Sequence, residues 1–129
     1  MKDTLPIIMI RYAIVLLFTW FAVQQMLAPG VWTAYLPTWT GYLPIPAEML
    51  IRLNGWTEFI LAVLLAVGCY TRIIATILGL HLIGIAWTAG GAVGVRDAAL
   101  AVCTLALAVA PPDPWTLDDR FNQPKSAEK

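Results

Sequence analysis

Charge is what this 129-residue sequence has least of: Asp, Glu, Lys and Arg make up only 12% of it, about half the share of a soluble domain. Eight basic and eight acidic residues cancel to a formal net charge of zero. That balance leaves no basic stripe and argues against a nucleic-acid partner. Two cysteines, Cys69 and Cys103, are too few for a disulfide framework. They do not form a Cys-x-x-Cys pair either, so they read as small apolar helix residues. There is one histidine, His81. Without a second histidine or a Cys-x-x-Cys motif, no protein-only metal site is expected. Gly-rich phosphate loops, nucleophile motifs and haem signatures are missing as well.

Apolar residues fill the space that charge leaves. The hydrophobic fraction is 60% and the mean hydropathy is +0.75. Disorder needs the opposite composition, low hydrophobicity with high net charge. A soluble domain of this length would be unable to hide so much apolar surface. The sequence therefore reads as a small integral membrane protein with the lipid bilayer as its solvent.

A membrane-crossing helix needs about 20 mostly apolar residues. Four runs qualify, at about 7–27, 48–68, 73–90 and 92–110. Pro6 suits the first helical turn, and Pro111-Pro112 ends the last run because proline cannot continue the ladder. The first run is too long for a signal-peptide core and lacks a small-x-small cleavage site, so it reads as an uncleaved span. Continuous runs of this length exclude a barrel, whose strands alternate over about ten residues. The expected fold is all-α, a four-helix membrane bundle over residues 1–112, with a polar tail over 113–129 in water. Short links at Cys69–Arg72 and around Gly91–Gly94 make consecutive helices antiparallel neighbours.

The first connection, Ala28–Ala47, is long and broken by Pro29, Pro37, Pro44 and Pro46. Trp32, Tyr35, Trp39 and Tyr42 stud it, which suits a segment along the headgroup layer or an aromatic lid over a ligand entrance. Lys2, Arg72, Arg120, Lys125 and Lys129 fall on the side of the termini. The positive-inside rule then places both termini in the cytoplasm, with the protein in the cytoplasmic (inner) membrane.

Several ionisable groups lie inside the spans, where each costs about 2.5 to 3.5 kcal/mol on insertion scales. They are Arg11, Arg52, Glu58, His81, Arg96 and Asp97. Arg11 is one turn from the cytoplasmic end and can snorkel. Gln25, Arg52, Asn54, Arg96 and Asp97 gather in the outer half, with Glu58 below them and His81 near mid-membrane. Asn54 and Glu58 share a face at i,i+4. Arg52 is about 9 Å from Glu58 along the axis. Two readings stay open. In one, Glu58 and Asp97 pair with Arg52 and Arg96 to fasten helices together. In the other, the same groups form an outward-facing polar pocket with apolar walls for a lipid-like or quinone head. Gly79, Gly84, Ala75 and Ala86, with the alanines of the fourth run, let the helices pack closely.

The order of short motifs resembles the DoxX family. It runs from Arg11, Leu16-Leu17-Phe18 and Pro29 through Gly55-x-x-Glu58 and Gly68-Cys69-Tyr70-Thr71-Arg72. It continues with Arg96-Asp97-Ala98-Ala99-Leu100 and Trp115-Thr116-Leu117-Asp118. The family's Gly and Lys late in the first span are replaced by Ala22 and Gln25. The resemblance implies a four-helix bundle that works as a subunit of a membrane redox system, with another membrane or redox protein as partner. It implies Arg11, Glu58, Thr71, Arg72, Arg96 and Asp97 as the family's polar positions. The expected function is therefore a DoxX-like subunit, not catalytic alone and without an intrinsic cofactor, that binds quinone in the outer-half pocket. The alternatives are a structural or chaperone-like subunit and a lipid-binding accessory protein.

Overall fold

A computed structural model of the chain describes residues 2–123. Lys125 and Lys129, counted above for orientation, lie outside the described residues. Four long helices dominate: α1 (Leu5–Leu27), α3 (Ala47–Val67), α4 (Thr71–Ala89) and α5 (Gly91–Val109). A single-turn helix α2 (Pro29–Trp32) and a short helix α6 (Leu117–Asn122) complete the set. All four long helices are long and apolar enough to cross a membrane, so the chain is a multi-pass membrane protein. No strand occurs among the described residues.

Helix ends follow local chemistry. Pro6 stands in the first turn of α1, where its missing N–H costs nothing. Gly68 ends α3 in the left-handed region at φ 71°, and its N–H closes back onto Leu65. Helix α5 stops at Val109, and the two prolines expected to end it follow Ala110.

Each long helix buries a stripe at three- and four-residue intervals. In α1 the stripe is Ile8, Arg11, Ile14, Phe18, Ala22 and Gln25; in α3 it is Ile51, Gly55, Glu58, Ala62 and Leu65. The core forms where Ile14, Phe18, Ala62, Leu65, Leu78, Leu82 and Ala101 meet. Leu16, Ile60, Leu80, Val102 and Val109 are exposed on the outside, as lipid-facing residues must be. The principal pairings are α1 with α3 and α4 with α5.

Small residues set two close approaches. A Cβ at Gly94 would lie 2.7 Å from the Ala86 carbonyl oxygen, and one at Gly55 would lie 3.0 Å from that of Ala22. The expectation fails at Gly84, where nothing lies within 4 Å. Ala98 and Ala99 are exposed rather than packed, while Ala101 is buried.

The stretch expected to be a polar tail in water begins differently. Asp113 and Thr116 are buried, each 1% exposed. Asp113 accepts from Arg11 Nε at 2.8 Å and from Arg11 Nη2 at 3.0 Å. Arg11 does not snorkel. It is fully buried and gives Nη1 to the carbonyls of Leu65 (2.9 Å) and Ala66 (2.7 Å) at the end of α3. Asp118 accepts from the backbone N–H groups of Tyr70 (2.8 Å) and Thr71 (2.7 Å), capping α4 from 47 residues away. Its own N–H donates to the Gly68 carbonyl at 3.0 Å. Residues 113–118 therefore form a strap tied to the first, second and third spanning helices.

Candidate functional site

At the opposite end of α1 from Arg11, Gln25 occupies the last turn on the buried stripe. Gly55 carries no side chain, so the α1 backbone at Ala22 approaches α3 closely. That approach brings the Gln25 amide within reach of α3, and Nε2 donates to Glu58 Oε2 at 2.9 Å. Asn54 lies one turn before Glu58 and uses its Nδ2 twice, toward Gln25 Oε1 at 2.8 Å and Glu58 Oε1 at 2.9 Å. From α4, His81 Nε2 stands 2.7 Å from Glu58 Oε1. One buried carboxylate, 3% exposed, thus gathers groups from three helices.

The pairing expected for Glu58 was with an arginine, and the structure corrects it. Arg52 is exposed and makes no ion pair among the described residues. The reason is angular. At about 100° per residue, six residues place Arg52 about 120° around α3 from Glu58. Nearness along the axis does not bring the two together. Arg96 pairs with its own neighbour, Nε to Asp97 Oδ1 at 3.0 Å, instead of bridging to another helix. Asp97 lies on the buried stripe of α5, whereas Arg96 is more than half exposed.

All of the expected groups except Arg52 are still brought to one place. A cleft of about 1400 Å³ is lined by Gln25, Asn54, Glu58, His81, Arg96 and Asp97. Trp20, Phe21, Trp32, Tyr35, Trp39 and Trp87 contribute aromatic walls. The proline-rich connection therefore contributes to the cleft, through three of its four expected aromatic residues. Tyr42, the fourth, is 92% exposed and lies outside it. Phe21 and Trp32 meet edge to face at 5.4 Å, which joins the connection to α1.

The arrangement is suited to holding a polar head in an apolar setting. A buried carboxylate fixes the surrounding side chains, and unpaired polar atoms on Asn54, His81 and Arg96 are left for a ligand. No group of three or more His, Cys, Asp or Glu is placed to hold a metal among the described residues. The Arg11–Asp113 pair was not anticipated by sequence reasoning. Its signal was available, because Arg11 falls on the apolar stripe of α1 and a buried guanidinium needs a carboxylate. Compared with known proteins, the chain matches no family model, no curated protein and no solved structure.

Proposed function

We propose that this chain is a small DoxX-like membrane subunit that binds the head of a quinone-type molecule in the aromatic cleft, beside a redox partner in the same membrane. The observation that carries the reading is the hydrogen-bonded cluster of Gln25, Asn54, Glu58 and His81 on the wall of a large aromatic cleft. Polar groups are costly within a span and are kept there for a use. A few directed polar atoms set in apolar walls are how small-molecule sites are built. The chain supplies position and polarity, and the bound molecule supplies any electron chemistry.

The reading includes the arrangement in the membrane. Consecutive spans run antiparallel, joined by short links after Val67 and Ala89. Both termini face the cytoplasm across the inner membrane, on the side of Lys2, Arg72 and Arg120.

A second reading, a structural or chaperone-like subunit, is favoured by a specific observation. Glu58 already holds groups from α1, α3 and α4, which fastens the bundle without any ligand. A lipid-binding accessory role would use the same cleft. Purification in mild detergent, followed by extraction and analysis for bound quinone, separates them. Glu58→Gln and Arg96→Gln are then compared for retained quinone and for thermal stability. Loss of quinone with intact folding supports the ligand site. No quinone in the wild type, with collapse of the Glu58 variant, supports the structural role.

A further inference from the structure

We propose that the cleft selects a head with a hydroxyl on an aromatic ring, a phenol or hydroquinone, over the same ring with a carbonyl in its place. The inference rests on the cleft being a ligand site.

Glu58 is the centre of the polar wall. Its Oε2 accepts from Gln25 Nε2 and its Oε1 accepts from Asn54 Nδ2. The orientation of the Gln25 amide is fixed independently, because its Oε1 accepts from the same Asn54 Nδ2. Both carboxylate oxygens are therefore acceptors, and an ionised carboxylate can do nothing else. His81 meets Oε1 through Nε2, so Nε2 carries the hydrogen. In a neutral imidazole the other nitrogen, Nδ1, then holds a lone pair and accepts.

Two atoms of this wall remain without partners, His81 Nδ1 and Asn54 Oδ1, while Gln25 Nε2 keeps a second hydrogen on a residue only 6% exposed. Both open atoms are acceptors. Neither is sealed inside the protein, since the one fully enclosed, unpartnered side-chain polar atom among the described residues is Thr71 Oγ1. His81 is a third exposed, and both residues line the cleft. Both hydrogens of Asn54 Nδ2 are committed, to Gln25 and to Glu58. The pair of open atoms therefore suits a ligand that brings a hydrogen. Arg96 uses Nε on Asp97 and keeps its Nη nitrogens as donors for a ligand oxygen elsewhere in the cleft. The aromatic side chains of Trp32, Tyr35 and Trp39 favour a planar ring over a simple alkyl alcohol.

The test uses the full chain in mild detergent under anaerobic conditions. Equilibrium dialysis, corrected for micelle uptake, measures binding of a decyl-substituted hydroquinone, the matching decyl quinone and straight-chain decanol. One net hydrogen bond gives a preference for the hydroquinone over the quinone of about three- to tenfold. Decanol is expected to bind more weakly than the hydroquinone. His81→Phe removes one of the two open acceptors and is expected to lower the hydroquinone-to-quinone ratio. If that variant does not fold, the wild-type ratio decides alone. Equal affinities, or a preference for the quinone, overturn the hydroxyl selection while leaving the ligand site standing. Decanol binding as tightly as the hydroquinone overturns the aromatic requirement. Binding of none of the three overturns both the inference and the function on which it rests.

Discussion

Replacing Asp113 by alanine removes the one carboxylate that pairs with Arg11 among the described residues. The guanidinium is fully buried and the carboxylate is 1% exposed, so neither group has water to fall back on. Breaking a buried pair from one side costs about 3 to 5 kcal/mol, because the remaining charge is left uncompensated. Arg11 keeps its two bonds to the Leu65 and Ala66 carbonyls, which places the expected loss near the lower end, about 3 kcal/mol. Arg11→Met, made alone and together with the same Asp113→Ala, completes the cycle, and the double variant, which removes both charges, is expected to recover most of that loss. Recovery stays incomplete because the two carbonyls lose their donor and the Trp115 N–H loses Asp113 Oδ1. Equilibrium unfolding in mixed micelles, followed by circular dichroism, gives the double-mutant cycle. The expected coupling is about 2 kcal/mol or more, and a coupling below about 0.5 kcal/mol, typical of exposed ion pairs, would refute the argument.

Other substitutions probe the remaining joints. Gly94→Ala drives a Cβ toward the Ala86 carbonyl, and backbone cannot swing aside as a side chain can; it is expected to cost about 1 to 3 kcal/mol, while Gly84→Ala, in open space within α4, is expected to gain about 0.5 to 1 kcal/mol in the same melts. Asp118→Ala uncaps the start of α4 and is expected to cost about 1 kcal/mol, with faster amide exchange at Tyr70 and Thr71 as its specific mark. Gln25→Leu removes a donor to Glu58 and the acceptor for Asn54; it is expected to lower the melting temperature, and an unchanged value would show that the cluster does not fasten α1 to α3. Reporter fusions at the two ends of the chain are expected to signal from the same compartment, and opposite signals would exclude an even number of crossings.

Much of the fold was legible because lipid imposes a simple demand. A run such as Ile60–Val67 must be helical, and prolines at 111 and 112 must end the helix before them. The observed bounds differ from the expected ones by only a residue or two. Polar residues in apolar runs are conspicuous, and six of the seven singled out line one cleft, Arg52 being the exception. Their partners were not legible. Axial depth grouped Arg52 with Glu58, but side-chain direction decides contact, and only the stripe of Ile51, Gly55 and Glu58 records direction. Asp113 looked like tail because it follows two prolines, and nothing local reveals a partner 102 residues earlier. The aromatic connection gave composition without position. That Trp32, Tyr35 and Trp39 line a cleft depends on how the connection folds across the long helices.

The strap has a consequence for how the molecule is made. Arg11 stands in the first spanning helix, and in chain order the carboxylate that neutralises it comes only after the fourth helix. Until then the first helix carries an unanswered cation, held by two carbonyls at most. A polypeptide interrupted before residue 113 keeps that liability. Closing the strap and answering the buried cation are therefore one event.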